Sequence, residues 1–425
     1  MIRDPKAFLR SLFDSAVAAA QPAHVMAGAM AGLVTDPMVA AARGRTVVVG
    51  GGKGAAAMAA AFEDAWPRPC GGLVVTRDGY RCPTRWIEVA EAGHPTPDHR
   101  GVVAAGRMLA LAAAAGPDDV VVCLISGGAS ALMPVPRPGL TLEDKRQMAG
   151  ELMRRGAKIE EINVVRKHLS AIKGGQLALI AAPATVRTLI ISDVVGDDVA
   201  TIGSGPTAPD PSTCADAMDI LARYGVIMSP VVHDALHKSL WETPKALPAN
   251  VTNTIVARPR DALSAAAAAA RQNGVDVLEL GDRFDLDASV VAHQHVAEIL
   301  KLMRTWTAPV VVLSGGEVTV DVNGRGVGGP NTQFAVALAV ELERANMRDV
   351  WFLAADTDGT DGVGGHAGAL CDPGMLARAG DLGLTPGSAI QNNDTATFLA
   401  RTGNLLVTGP TYTNVNDFRA ILVVP

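Results

Sequence analysis

Short β-rich segments of this 425-residue chain run directly into turns built from glycines and small polar residues. Within Val47 to Gly54, Cys123 to Ser130 and Val311 to Glu317, a β-rich segment runs into paired or tripled glycines. Residues 403–418 pass from an apolar strand into hydroxyls, amides and one carboxylate. Because glycine has no side chain and tolerates positive φ, such turns let backbone N–H groups approach an anion closely. The pattern predicts phosphate binding at the ends of strands.

Strand and helix patterns alternate along the chain, which is typical of a parallel α/β sheet. Thr46 to Val49 and Val120 to Ile125 are continuous β-rich runs, each followed by glycines and then by helical sequence. Hydrophobic residues make up 48% of the chain but aromatic residues only 4%. A core of Ala, Val, Leu and Ile suits helices packed tightly on a buried sheet.

The chain length predicts two domains, at about 100 to 200 residues per domain. Prolines accumulate and apolar residues thin out between about Pro230 and Pro259, so we place the boundary there. Residues 1–245 are predicted as an α/β/α domain with a Rossmann-like parallel sheet, and residues 246–425 as an α/β/α domain with a smaller mixed sheet. We expect a cleft between them. Residues 6–30 are predicted to form one helix.

Charge and cysteine content exclude several classes of protein. The net charge is -6, without lysine or arginine runs, so no electrostatic footprint for nucleic acid is present. The five cysteines show no CxxC spacing, which predicts neither a disulfide framework nor a zinc site. The N-terminus lacks the apolar centre of a signal peptide, and no uninterrupted apolar run of roughly 18 residues occurs. We expect a cytoplasmic protein without a membrane partner.

Lys53 stands inside the first glycine turn, Gly50-Gly51-Gly52-Lys53-Gly54. Gly50-x-Gly52 after a strand is half of the dinucleotide-binding fingerprint, with Ala55 at the third position. A lysine point charge suits instead a phosphoryl group whose negative charge must be held during transfer. A tight connection with a solvated lysine is the remaining interpretation.

Two further segments carry candidate anion ligands. The hydroxyls of Ser126 and Ser130 flank glycines at a strand end and could donate to a phosphate or carboxylate, although Ser130 could equally cap a helix. Arg166, His168 and Lys173 lie close together in the sequence. For Arg166 and Lys173 an anion-binding role and a solvated face are equally consistent with the pattern, and for His168 we expect a partly buried, hydrogen-bonded histidine.

Aspartates cluster after two predicted strands, at 193–198 and 356–361. The second cluster lacks the acidic residue that closes an EF-hand loop, since Ala367 stands at the twelfth position. A Mg²⁺–nucleotide site needs fewer protein ligands because the ion takes oxygens from the phosphates. Each single aspartate is also consistent with a hydrogen-bonded Asx-turn.

Taken together, these segments resemble the glycerate 2-kinase family, whose members have a DUF4147 N-terminal domain and a MOFRL C-terminal domain. Some members carry the older name hydroxypyruvate reductase. The resemblance covers nearly the whole chain, and its matching segments are residues 50–55, 125–132, 164–170, 192–198, 204–207, 314–317, 358–362 and 405–417.

The resemblance implies transfer of the γ-phosphoryl group of ATP to the 2-hydroxyl of D-glycerate, with Mg²⁺. It places Lys53 as the catalytic lysine that stabilises charge on the transferring group. The substrate- and phosphate-binding residues implied are Gly51, Gly52, Ser126, Gly127, Gly128, Ser130, Asp193 and Asn331. The nucleotide-binding residues implied are Ser314, Gly315, Gly316, Glu317, Thr408, Gly409, Thr411, Asn414 and Asn416. Asp193 and Asp358 are the candidate metal ligands, and a homodimer is a candidate assembly.

The chain departs from the family at Pro330, within Gly328-Gly329-Pro330-Asn331. The family often has an arginine proposed to act in catalysis at this position. We expect Arg166 or Arg325 to supply the missing positive charge, and both are candidate catalytic residues.

Two alternatives to a kinase are also consistent with the sequence. An NAD(P)H-dependent hydroxypyruvate reductase would need a carboxylate for the ribose about 20 residues beyond the glycines. Glu63 and Asp64 fall before the second strand, and Asp78 lies slightly late. A non-catalytic sensor of nucleotides or sugar acids would bind ATP without turnover.

Overall fold

The computed structural model describes residues 2–304, 306 and 308–424. The chain forms two units and passes from one unit to the other twice along the sequence. The N-terminal unit is Pro22–Val256, and the C-terminal unit combines the chain up to Gln21 with the chain from Ala257 onward. The first helix, α1 (Pro5–Ala19), is therefore part of the C-terminal unit.

The N-terminal unit contains a six-stranded sheet and helices. Its strands are β1 (Thr46–Gly51), β2 (Cys70–Arg77), β3 (Ile87–Ala92), β4 (Val120–Ile125), β5 (Thr185–Ile191) and β6 (Val251–Ala257). Its helices are α2 (Pro22–Thr35), α3 (Pro37–Ala41), α4 (Ala55–Ala65), α5 (His99–Ala113), α6 (Ala129–Leu132), α7 (Leu142–Arg154), α8 (Ile159–His168), α9 (Gln176–Ala181), α10 (Cys214–Arg223) and α11 (Pro230–His237), with a 3-10 turn at Ile202–Ser204.

The strand order of this sheet is β3-β2-β1-β4-β5-β6. β1 is parallel to β2 and β4, β2 to β3, and β4 to β5. Every residue of β1 and β4 is buried, as expected for strands covered by helices on both faces. The predicted Rossmann-like parallel sheet is confirmed. In such sheets ligands bind where the strand order reverses, which here is at the carboxyl ends of β1 and β4.

The C-terminal unit contains a mixed sheet. Its strands are β7 (Asp276–Phe284), β8 (Val310–Gly316), β9 (Val350–Asp356), β10 (Gly368–Cys371), β11 (Leu405–Leu406) and β12 (Asp417–Val423). Its helices besides α1 are α12 (Pro259–Gln272), α13 (Ala288–Leu302), α14 (Pro330–Arg344), α15 (Met375–Asp381), α16 (Pro386–Gln391) and α17 (Thr395–Arg401). The order is β11-β10-β9-β12-β8-β7, with β7 and β8 parallel and β12 antiparallel to both neighbours. The predicted mixed sheet is confirmed, and it has six strands, as many as the first.

Helix α1 packs on the C-terminal sheet through one apolar face. Phe8, Leu9, Leu12, Phe13 and Ala16 are buried, and the ring of Phe13 lies 5.9 Å from that of Phe418 in an edge contact. The prediction of one helix over residues 6–30 is wrong. Helix α1 ends at Ala19 and α2 begins at Pro22, because proline lacks an N–H and favours the first turn of a new helix.

By length and composition alone, the helical stretch Pro5–Thr35 is apolar enough to cross a membrane, contrary to the expectation from the sequence. This is weak evidence, since buried core helices have the same composition. In the structure the stretch consists of two helices that belong to different units.

The two units differ from the predicted domains 1–245 and 246–425 at both ends of the N-terminal unit. Helix α1 joins the C-terminal unit, and β6 extends the first sheet beyond residue 245. The N–H of Val186 donates to the carbonyl of Asn250 at 2.9 Å, just before β6. The proline-containing segment therefore leads into the last strand of the N-terminal sheet.

Candidate active site

The glycine turns after β1 and β4 lie side by side where the strand order reverses. The N–H of Lys53 donates to the carbonyl of Gly127 at 2.8 Å, and the N–H of Gly54 donates to Ser126 Oγ at 2.9 Å. A Cβ added at Gly52, where φ is +140°, would lie 2.1 Å from Ser126 Oγ. Glycine is required there because the two turns are in direct contact.

Gly128 lies between Lys53 and the cavity beside it. Its φ is +82°, in the left-handed region, and an added Cβ would lie 2.8 Å from His94 Nε2 and 3.3 Å from Lys53 Cγ. The structure thus brings together six of the predicted site residues, Gly51, Gly52, Lys53, Ser126, Gly127 and Gly128.

A cavity of about 350 Å³ opens beside Gly128, and we call it the cationic cavity. Its wall includes the predicted residues Ser130, Arg166 and Lys173, and the additional cations are Lys145 and Arg146. None of the described residues that line it is an aspartate or glutamate. A concave site with charges of one sign attracts ligands of the opposite sign, here anions.

Lys145 and Lys173 are buried in this wall, with exposed fractions of 9% and 3%. Lys173 Nζ donates to the carbonyl of Ser130 at 2.6 Å and to its Oγ at 2.9 Å. Burial lowers the pKa of Lys145 to about 7, with repulsion from Arg166 adding to the effect. Burial and the neighbouring Lys145 and Arg166 lower the pKa of Lys173 well below its usual range. Buried cations without a carboxylate partner are costly, so an anion here would be strongly favoured.

Sequence analysis missed Lys145, although a signal was present. In α7, Lys145 shares a buried stripe with Met148 and Leu152, at spacings of three and seven residues. A lysine on the apolar stripe of an amphipathic helix is unusual for a residue that normally faces water. Arg166 was predicted, and burial lowers the pKa of its guanidinium.

His168 is a buried, hydrogen-bonded histidine, as expected. Its Nδ1 lies 2.9 Å from the carbonyl of Val164 and its Nε2 lies 3.3 Å from Glu242 Oε1. Asp193 follows β5 at the same edge of the sheet as the glycine turns and is half-buried. Its role as a metal or phosphate ligand stays a prediction.

In the C-terminal unit, the loop 408–416 packs on the aspartate loop 356–362. The N–H of Thr411 donates to the carbonyl of Asp358 at 3.1 Å, and Thr411 Oγ1 donates to the carbonyl of Thr357 at 2.5 Å. Among the predicted nucleotide-binding residues of this loop, Asn414 and Asn416 are buried, whereas Thr408, Gly409 and Thr411 are partly exposed.

Two buried carboxylates meet beside this loop at the start of α14. Asn331 Nδ2 donates to Asp417 Oδ1 at 2.6 Å and lies 3.4 Å from Asp361 Oδ1. Asp361 also accepts the backbone N–H groups of Asn331 and Thr332, at 2.9 and 2.8 Å. Burial raises the pKa of Asp361 to about 7, and the charge of Asp417 adds to this rise. Arg419, fully buried, donates to Asp417.

Oxygen ligands for Mg²⁺ are available in this cluster. Asn331 Oδ1 is buried and has no hydrogen-bond partner among the described residues. The buried carboxyl group of Asp358 is close enough to Asp417 for its charge to add to the raised pKa of Asp417. Among the described residues, three His, Cys or acidic side chains are close enough together to hold a metal ion at one place, which lies outside this cluster. They are His168, Cys214 and Glu242. A magnesium ion at Asp358 would therefore depend on phosphate oxygens for most of its ligands.

The predicted nucleotide-binding segment 314–317 lies mostly inside a strand. Ser314, Gly315 and Gly316 belong to β8, and only Glu317 follows it. Ser314 Oγ lies 2.7 Å from His295 Nε2 in the buried interior. The two candidate arginines lie in different units: Arg166 lines the cationic cavity, whereas Arg325 is exposed on the loop before α14.

A second cavity of about 640 Å³ lies at the opposite end of the N-terminal sheet, beside Thr46 and Cys70, the first residues of β1 and β2. Because ligands of open α/β sheets bind at the carboxyl ends of the strands, we assign the site to the cationic cavity and the glycine turns.

Two family models match the chain, "Domain of unknown function (DUF4147)" at residues 8–237 and "MOFRL family" at residues 310–417. The D-glycerate 2-kinase of Thermotoga maritima is 38% identical over 386 residues, which are 89% of this chain and 91% of that one. A protein of Agrobacterium vitis, provisionally named a hydroxypyruvate reductase, is 46% identical over 421 residues, 98% of this chain and 94% of that one.

A crystal structure of glycerate kinase from Thermotoga maritima matches with a TM-score of 0.86 and 35% sequence identity. The match covers 99% of both chains. The likeness therefore includes all the segments that carry the candidate site.

Proposed function

Because the chain belongs to the glycerate 2-kinase family, with its DUF4147 and MOFRL domains, we propose that it transfers the γ-phosphoryl group of ATP to the 2-hydroxyl of D-glycerate. The product is 2-phosphoglycerate. The observation that carries the proposal is the position of Lys53, within the first glycine turn, in contact with the second and beside a cavity lined with cations. The phosphates of the donor and the carboxylate of the acceptor are both negatively charged, so each needs positive charge at its binding place, and the two places have to be adjacent.

Phosphoryl transfer depends on positioning and on stabilisation of the negative charge that spreads over the transferring group. Lys53 would hold that charge through its ammonium group. The hydrogen bond from its backbone N–H to Gly127 fixes the turn and so the position from which the side chain starts. The glycines leave room for the phosphate oxygens to approach the backbone.

Mg²⁺ would neutralise charge on the phosphates of ATP. Asp193 in the N-terminal unit and Asp358 in the C-terminal unit are the alternative candidates for its protein ligand, and in the C-terminal unit Asn331 Oδ1 is a further oxygen of the type this ion takes. The remaining predicted features, a cytoplasmic location, a homodimer and the absence of nucleic-acid and membrane partners, stay predictions.

The alternative, an NAD(P)H-dependent hydroxypyruvate reductase, is favoured by the provisional name of the Agrobacterium vitis relative. In a Rossmann sheet the carboxylate that binds the ribose follows the second strand, where this chain has Asp78. Both oxygens of Asp78 accept from Arg100, at 2.7 Å each. This bidentate ion pair is exposed, so a ribose hydroxyl would have to compete with the guanidinium of Arg100 for the carboxylate.

The test supplies ATP, Mg²⁺ and D-glycerate and identifies the phosphorylated carbon of the product by NMR. We expect phosphate on carbon 2 and loss of turnover when EDTA removes the metal. A parallel reaction with hydroxypyruvate and NADH measures the reductase. NADH oxidation without ATP-dependent product would contradict the proposal, and ATP binding without either turnover would indicate a sensor.

A further inference from the structure

We propose that the cationic cavity binds the carboxylate of a small 2-hydroxy acid, with Lys145, Arg166 and Lys173 as the residues that recognise it. This inference rests on the proposed function, because it assigns the place of the acceptor relative to Lys53. These three side chains would make the enzyme prefer an acid to a neutral polyol.

The first support is the supply of free donors. A charged lysine has three N–H donors, and the described contacts of Lys145 and Lys173 use two each. Arg166 has five donors and one long contact, 3.5 Å from Nη1 to Asn163 Oδ1. Each of the three cations can therefore still donate to a carboxylate.

The second support is the shape of the cavity. Its volume of about 350 Å³ is near the lower end of ligand pockets, which suits a small organic acid. The cations occupy part of the wall, and Pro95, Pro134, Leu142 and Met153 provide an apolar part. A carboxylate would bind the cations while the carbon chain contacts the apolar residues, and Gly128 leaves the ligand close to Lys53.

The third support is the mutual repulsion within the wall. The charged and titratable groups around Lys145 and Lys173 are Arg137, Arg166, His94 and Arg146. Arg146 forms an ion pair at 3.5 Å with Glu143, a residue that does not line the cavity. The lysines therefore hold their protons weakly when the cavity contains no anion. A bound carboxylate raises their pKa values, so binding takes up protons at alkaline pH and weakens as the pH rises above about 7.

The experiment measures binding of D-glycerate by calorimetry without ATP, so that it does not depend on catalysis. We expect Lys145→Met and Arg166→Met to weaken binding roughly 10- to 100-fold, since each removes a charge-assisted hydrogen bond. Arg154→Met is the matched control: Arg154 is exposed at the end of the same helix as Lys145 and does not line the cavity. It should bind like the wild type.

A steric variant avoids the removal of buried charges, which could disturb folding. Gly150 lines the cavity within α7, and a Cβ built there has no atom within 4 Å. Gly150→Leu should therefore fold, fill the cavity and reduce glycerate binding at least about tenfold. Gly106→Leu, at an equally open site in α5 outside the cavity, is its control and should leave binding unchanged.

Proton uptake is read from the same titrations at about pH 8 in imidazole and in Tris, whose ionisation enthalpies differ. The wild type should show a buffer-dependent enthalpy and Lys145→Met a smaller dependence. A buffer-independent enthalpy in the wild type would contradict the role of the lysines.

Two outcomes separate this inference from the proposed function. If the wild type phosphorylates D-glycerate while the Lys145, Arg166 and Gly150 variants keep its KM, the cavity is not the acid subsite and the kinase activity stands. If glycerate binding follows the variants as expected but no phosphorylation occurs, the subsite stands and the kinase proposal fails. The ratio of kcat/KM for glycerate and glycerol should fall in Arg166→Met, because glycerol lacks the carboxylate.

Discussion

The backbone and the side chain of Lys53 have separate roles, which makes its substitution informative. The N–H of Lys53 holds the turn through Gly127, and alanine preserves this bond. We expect Lys53→Ala to melt like the wild type and to lose at least about 100-fold in kcat, because the ammonium acts on the transferring group. ADP release and thermal melting measure the two effects. Near wild-type turnover would refute the role, and Lys238→Ala, at an exposed lysine, is the control.

The missing family arginine is a second residue-scale question. Pro330 occupies the first position of α14, where proline is well accommodated, and it carries no charge. We expect the double variant Arg325→Ala, Arg166→Ala to lose most of its turnover because one of these arginines replaces the absent charge. Steady-state kinetics of both single variants identifies which one: a lower kcat at saturating glycerate marks the arginine that replaces the charge, whereas a raised KM for glycerate in Arg166→Ala reports the contact with the carboxylate. Normal turnover of the double variant would exclude both.

Asp361 should make stability depend on pH. Its folded pKa is raised to about 7, whereas an unfolded aspartate titrates near 3.9. Between about pH 4 and 7 the folded chain therefore binds more protons at this position, and stability falls as the pH rises through that range and levels off above it. We expect the unfolding free energy of the wild type, relative to Asp361→Asn, to decrease from about pH 5 to 7 in urea titrations. A constant or increasing difference would contradict the raised pKa.

At the scale of elements, the contact between the turns after β1 and β4 depends on a missing side chain. Gly52→Ala places a Cβ 2.1 Å from Ser126 Oγ, on a backbone with a φ of +140°. We expect a loss of at least about 2 kcal/mol in unfolding free energy. Gly106→Ala, in the middle of α5 with open space around it, should instead gain roughly 0.5 to 1 kcal/mol. Equal stabilities of the two variants in denaturant titrations would contradict the strain.

At the scale of the whole molecule, the C-terminal unit is built from two separate parts of the chain. The fragment 257–425 lacks α1 and would expose the apolar surface that Phe13 and its neighbours cover. We expect this fragment to melt at a much lower temperature than the same fragment fused to residues 1–21, because several large side chains lose their burial. Circular dichroism measures the difference.

A matched fusion that carries Phe13→Ala and Leu12→Ala is the control, and it should restore little stability. Equal melting of the fragment with and without α1 would show that the helix is dispensable for the C-terminal unit.

Much of the fold followed from local patterns. The β-rich runs at 46–49 and 120–125 correspond to β1 and β4, since a strand buried on both faces has to be apolar throughout. No strand was predicted at β3, β6, β10 or β12. β10 has only four residues, and the position of β12 in the middle of its sheet is a long-range property. The prediction of one helix over residues 6–30 overlooked Pro22, which begins a new helix, and the two helices belong to different units.

The sequence by itself determined that Lys53 and Ser126 follow buried strands in glycine turns, because strand periodicity and glycine content are local properties of the chain. Only the tertiary structure decided that these turns touch and that Lys145, Arg166 and Lys173 line one cavity. It also placed Asp361 beside Asp417. Such proximity depends on strand order and on the packing of distant helices, and neither is written in the spacing of residues along the chain.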